Sequence, residues 1–213
     1  MMKKTLIAST LFAACVSTLS VNAAGMSPEI SIKGDMSAPG CTIIPPNNGE
    51  YNLGKISSNI VRENEEVALT SVSGGQSWQV QCDAATYLSF TVVDNREGTA
   101  SKEGTTNFGL GPVNEKGKLG YYRVKMFNPI VDGSMSSIYS TSGSQFSAVK
   151  EVYLDKGKTM GWAASDNQQA AGKRFSAYLD VQPVLASAKD MNGPIADSSK
   201  LDGAMTMNFS FGI

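Results

Sequence analysis

The side chains that could do chemistry in this 213-residue chain are few in kind. There is no histidine, so the commonest general base and the commonest metal ligand are both missing. Cysteine occurs three times, as Cys15, Cys41 and Cys82. Carboxylates are plentiful, 19 Asp and Glu together, and two suitably placed carboxylates are enough for glycoside hydrolysis. No spacing in the sequence selects such a pair. The familiar hydrolase triads rely on a histidine, which the chain lacks. Gly109-Leu110-Gly111 has the glycine content of a phosphate loop, yet no strand-to-helix context surrounds it and no Gly-Lys-Ser follows. Those glycines are expected to serve turns. The residues therefore point away from an enzyme and call for no cofactor and no metal.

The cysteines take their meaning from the N-terminus. Lys3 and Lys4 precede an apolar stretch over residues 5–19, shorter than the ~18 residues and more of a membrane span. Val21-Asn22-Ala23 fits the small-residue cleavage pattern, so residues 1–23 are expected to be a signal peptide and the mature chain to start at Ala24. A rival lies inside the segment: Leu11-Phe12-Ala13-Ala14-Cys15 is similar to a lipoprotein processing site, although Phe12 is bulky for it. Export leaves Cys41 and Cys82, and an isolated pair in an oxidising compartment reads as one disulfide. The alternatives are two buried free thiols, or a zinc site with half its ligands missing.

Without Lys3 and Lys4 the acidic side chains outnumber the basic ones, and the basic ones are scattered. No basic patch marks a nucleic-acid surface. The remaining ~190 residues suit a single domain. Helical patterning is nearly absent, and short apolar runs alternate with Gly, Ser, Thr and Asn turns. This is the character of an all-β sandwich. Strands are expected over 51–56, 67–72, 78–82, 88–92, 119–127, 149–154 and 175–181, the last closed by Pro183. A phase slip between Tyr121 and Val124 predicts a bulge. Residues 94–118, 132–145 and 187–202 read as loops. The final strand is the clearest: Met205, Met207, Phe209, Phe211 and Ile213 alternate with Thr206, Asn208, Ser210 and Gly212. An apolar strand of this kind needs a partner inside the domain or from another chain.

Several of these segments resemble chaperone–usher fimbrial subunits, and more closely a beta-fimbria-like branch of them. Ile30-Ser31-Ile32-Lys33-Gly34-Asp35 followed by Cys41 is similar to the start of such subunits. Cys82, at the end of a strand carrying Trp78 and Val80, matches their second cysteine. Tyr51-Asn52-Leu53-Gly54 resembles their short strand between the cysteines, and the C-terminal alternating strand also matches.

The resemblance implies an immunoglobulin-like β-sandwich over residues 37–213 that lacks its final strand. Residues 24–36 would be an N-terminal extension, with Met26, Ile30 and Ile32 as the donor-strand side chains. Met205, Met207, Phe209, Phe211 and Ile213 would border the groove left by the missing strand, and the Ile213 carboxylate would anchor a chaperone. The implied function is a structural subunit of a fimbria with a role in cell adhesion. Its partners would be a periplasmic chaperone, an outer-membrane usher and neighbouring subunits, and its destination the cell surface by way of the periplasm. Three departures stand out: Gly212 holds a place where the family favours an aromatic, Gly203 lies closer to the terminus than the family's glycine, and Pro28 interrupts the donor segment. The rival readings are a non-polymerising periplasmic or lipid-anchored β-domain and a small outer-membrane β-barrel. The barrel is opposed by an aromatic content of 8% with no girdle pattern.

Overall fold

The structure, a computed structural model, describes residues 33, 39–71, 75–195 and 199–212. The fold over these residues is all-β. Its strands in chain order are β1 (Cys41–Ile44), β2 (Val67–Ala68), β3 (Gln76–Asp94), β4 (Phe108–Gly109), β5 (Pro112–Val113), β6 (Gly117–Lys118) and β7 (Gly120–Val131). They continue with β8 (Ser134–Met135), β9 (Ser137–Thr141), β10 (Glu151–Tyr153), β11 (Thr159–Ser165), β12 (Gln168–Gln169), β13 (Ala171–Leu185) and β14 (Met205–Gly212). All but the small β5–β6 pair join one curled sheet whose strand pairs are antiparallel, with the central order β10-β7-β13-β3-β11-β12.

The two ends of the sheet behave differently. At one end it curls until β9, which pairs with β11, meets Val149, two residues before β10. Ile138 and Val149 exchange both backbone hydrogen bonds there, at 2.7 and 2.8 Å. The enclosed core is built from alternating positions of β3, β7, β11 and β13: Leu88, Phe90, Val124, Met126, Met160, Phe175 and Leu179 are almost wholly buried. At the other end, around β14, no such closure is made by the described residues.

β3 is the rail on which this arrangement hangs. Its first half lies between β1 and β13, with Cys41 opposite Cys82 and Phe175 opposite Val80. Its second half lies between β14 and β11, with Phe209 and Met160 both opposite Phe90. The two expected strands 78–82 and 88–92 are thus one. They looked separate because the connecting residues Asp83, Ala84 and Ala85 are exposed, and the register with β13 slips between Gly172 and Arg174 at that level. Cys41 and Cys82 form the disulfide expected of an exported pair.

Other expectations need correction. The stretch 51–56 is not a strand. The Gly54 N–H donates to Asn52 Oδ1 at 2.7 Å and Gly54 has φ +66°, so a local turn replaces the ladder. The strand over 67–72 shrinks to Val67–Ala68. The bulge in β7 lies at Asn128 and Pro129, opposite Ala177, and not between Tyr121 and Val124. Tyr121 and Tyr122 are both buried because both faces of β7 are covered there, so the phase slip has no backbone counterpart. Pro183 does not close β13. Its carbonyl accepts from the Leu69 N–H, so the missing N–H points away from β7 and the strand runs on to Leu185. Residues 94–118 are mainly loop, yet Phe108, Leu110 and Val113 from that loop enter the core. Gly109 allows the approach, because a Cβ there would collide with Thr99 Oγ1 and the Arg96 carbonyl. In 132–145 two strand segments appear, and Ile138 and Tyr139 are buried. β11 was not foreseen at all.

Candidate functional site: the open edge of the C-terminal strand

β14 alternates as its sequence does. Met205, Met207 and Phe209 are half-buried against the core, while Thr206, Asn208 and Ser210 are exposed. Phe211 keeps the parity but lies past the core, 41% exposed. Phe209 packs on Phe90 with ring centroids 5.5 Å apart, Phe90 meets Trp162 at 6.2 Å, and Trp162 meets Phe175 at 5.4 Å. An aromatic column therefore ties the last strand to the middle of the sheet.

Both ends of β14 are fastened. At its last paired residue, Thr86 Oγ1 donates to the Gly212 carbonyl at 2.8 Å. Before its first residue, the Arg96 guanidinium grips Asp202 with two hydrogen bonds of 2.9 Å. That fork holds the Asp202 carboxyl below the usual carboxylate range and raises Arg96 in turn. The Asn95 N–H donates to the Ala204 carbonyl at 2.9 Å. Next to this clamp the buried Asp94 carboxylate accepts from the Arg96 and Gly109 N–H groups, each at 2.9 Å, with Lys156 Nζ 3.8 Å away. Burial, with Asp94 close by, pushes the Tyr122 phenol far above its ordinary value.

Only one edge of β14 is used. Its whole length pairs with β3, and no described residue pairs with its other edge. Beside that strand lies a groove of about 1480 Å³. One flank is β14, through Met205, Thr206, Met207 and Phe209. The opposite flank is the irregular segment around Tyr51, Leu53, Ile56 and Val61. The floor is core: Val124 of β7 and Leu179, Val181 and Leu185 of β13. Trp78 closes one side, its Nε1 donating to the Tyr51 hydroxyl at 2.8 Å, which in turn donates to the Leu179 carbonyl at 3.3 Å. Burial raises the Tyr51 phenol.

This arrangement can do one thing well: take an extended segment whose main chain pairs with β14 and whose alternate side chains enter the apolar floor. The sequence singled out Met205, Met207 and Phe209, and the structure brings all three to the groove. Phe211 does not line it. Met26, Ile30, Ile32 and Ile213 lie outside the described residues. The far flank carries the apolar spacing of a ladder strand, and that spacing gives no sign of a groove wall. Cys41 and Cys82 stand apart from the groove, though Ile43 of β1 reaches its rim. Among the described residues no cluster of three or more Cys, Asp or Glu is placed to hold a metal ion. No family model matches the chain, and no curated protein is similar to it.

Proposed function

We propose that this chain is a fimbrial subunit of the chaperone–usher kind, an immunoglobulin-like β-sandwich that is completed by a β-segment from another chain. The observation that carries the reading is the edge of β14 that no described residue pairs with, beside an apolar groove that opens onto core residues. A strand laid there would gain main-chain hydrogen bonds from β14 and cover Val124, Leu179 and Val181. Residues 24–36 are the segment such a chain would offer its neighbour, and a periplasmic chaperone would hold the groove during export. Passed head to tail, contacts of this kind build an open filament. The partners in this reading are the chaperone, an outer-membrane usher and neighbouring subunits, and the role is structural.

Single-cysteine cross-linking tests it. One population carries Ser31→Cys in the extension; the others carry Thr206→Cys, Asn208→Cys or Ser210→Cys, whose native side chains on β14 are exposed. Mixed during assembly and oxidised, they should yield cross-linked dimers between the two populations at one preferred register. When Ser31→Cys and a β14 cysteine share one chain, cross-linking confined within single chains would mean that the domain completes itself, and the assembly reading falls.

A further inference from the structure

We infer that Met205 and Met207 form an oxidative modification site on the receiving strand. A peroxide-class oxidant converts their thioethers to sulfoxides, and the altered wall closes the groove to its β-segment. The inference rests on the strand-receiving reading above and adds a chemistry that acts on it.

The methionines of the described residues fall into three groups. Met126, Met160 and Met191 are 1%, 0% and 0% exposed, out of reach of an oxidant in the folded chain. Met135 on β8 is 65% exposed and does not line the groove. Met205 and Met207 stand between. Each is half-buried against the core, and each lines the groove of about 1480 Å³. They sit two positions apart on one face of β14, opposite Asp94 and Val92 of β3. A groove of that size admits a small oxidant wherever no segment fills it. Cys41 and Cys82 are already joined, so thioethers are the sulfur left to oxidise among the described residues.

Methionine is not the residue that a ladder asks for. Strand positions favour β-branched and aromatic side chains, and β14 has Phe209 and Phe211 at the next two places of the same parity. A thioether gives the groove wall a flexible, polarisable surface that adapts to the shape of its occupant. The same sulfur carries the lone pair that takes up oxygen.

The step is a two-electron oxygen transfer. The sulfur lone pair attacks one peroxide oxygen, the S–O bond forms and the O–O bond breaks. The departing hydroxide takes the proton from the transferred hydroxyl and leaves as water. One thioether and one hydrogen peroxide thus become one sulfoxide and one water, with sulfur oxidised and peroxide reduced.

The new oxygen is a strong acceptor on an apolar wall. In the open groove water hydrates it. A segment laid against β14 would strip that water, and the floor side chains Val124, Leu179, Val181 and Leu185 have no donor to replace it. Oxidation therefore opposes the occupied groove and leaves the open domain standing. β14 itself holds, because its ladder to β3, the Phe209–Phe90–Trp162 column and the Arg96–Asp202 clamp use neither sulfur.

The test uses the mature chain with its disulfide intact. It is treated with hydrogen peroxide for increasing times, and catalase then removes the peroxide. Peptide mapping reads the gain of one oxygen at each methionine. Met135 should react first and Met205 and Met207 next, both about tenfold or more ahead of Met126, Met160 and Met191. Capture of a synthetic peptide of residues 24–36, added after the catalase, should then weaken about tenfold or more, while the Phe90 and Leu179 amides stay protected from exchange. A Met205→Leu, Met207→Leu double variant, whatever its own level of capture, should capture equally before and after peroxide. Met135→Leu should respond to peroxide as the parent does. Should the double variant fail to fold, the oxidation map and the treated parent decide. If the untreated chain captures no peptide, the strand-receiving reading falls and takes this inference with it. If the untreated chain does capture it, three results overturn this inference alone. They are Met205 and Met207 reacting as slowly as Met160, the oxidised chain capturing as well as before, and capture falling only together with Leu179 protection.

Discussion

Reducing the Cys41–Cys82 disulfide should cost this domain about 4 kcal/mol, and the structure says where the loss will begin. The bridge spans 41 positions of sequence. Loop-closure entropy for a ring of that length amounts to about 13 cal/mol/K, or about 4 kcal/mol at 25 °C. The same bridge holds β1, which has little else. Its ladder has four residue pairs, all to β3, and three of its four residues are exposed. Ile43 and Ile44 bury little apolar surface, being 38% and 49% exposed, so packing cannot replace the covalent tie. Equilibrium urea unfolding of the mature chain, oxidised against reduced and alkylated, reads the global term. Hydrogen exchange reads the local one: the β3 amides at Gln79 and Gln81 and those of β1 should lose protection in the reduced protein before Phe90 or Leu179 do. A reduced protein within about 1 kcal/mol of the oxidised one would refute the entropic account. Unchanged exchange at β1 would refute the claim that the bridge is what holds this strand.

Two further outcomes follow from named contacts. The Asp202 carboxyl sits below its ordinary value because Arg96 holds it, so its contribution to β14 is complete above about pH 4 and is lost as pH falls through the lowered folded value. Asp202→Asn should therefore raise exchange of the Asn95 amide at neutral pH, remove the acid-dependent part of that exchange, and matter less at high salt; a variant that exchanges like the parent at every pH would sink this reading. Gly161→Ala should lose about 2 kcal/mol in urea unfolding, since its Cβ would fall 2.6 Å from the Leu88 carbonyl oxygen and 2.7 Å from Tyr139 Cε1, between two ladders that cannot part cheaply. A loss under ~0.5 kcal/mol would show that β11 shifts freely there.

What was legible in the sequence was what alternation alone decides. The final strand, the Phe175–Val181 stretch and the disulfide pair depend on near neighbours in sequence and on export, and the structure has a ladder or a bridge at each. β11 was not legible. Met160, Gly161, Trp162 and Ala163 are consecutive and all buried, because neighbouring strands and chain cover both faces, so no alternation is left to read. Residues 51–56 failed the other way. Tyr51 and Ile56 do pack against the core, but apolar spacing reports burial and not hydrogen-bond partners. The groove could not be read for the same reason: its flanks are far apart in sequence, and only the curl of the sheet brings Tyr51 across from Met207.

The position of the disulfide and that of the open edge are consequences of the same strand. β3 carries Cys82 in its first half and the whole β14 ladder in its second, on the same side of the strand, since β13 and β11 occupy the other. β1 and β14 therefore lie end to end along one edge of β3, and Ile43 from one and Phe209 from the other both reach the groove. Any segment that pairs with β14 will extend past strand residues whose only covalent brace is Cys41–Cys82. A protein built to receive a strand there has reason to lock β1 covalently, because β1 lacks the row of half-buried side chains that holds β14. On this argument reduction weakens the receiving edge more than the sheet as a whole. Capture of a synthetic peptide of residues 24–36 should then fall in the reduced protein even under conditions where its β13 and β7 amides remain protected; equal capture in both redox states would separate the bridge from the groove and undo the link.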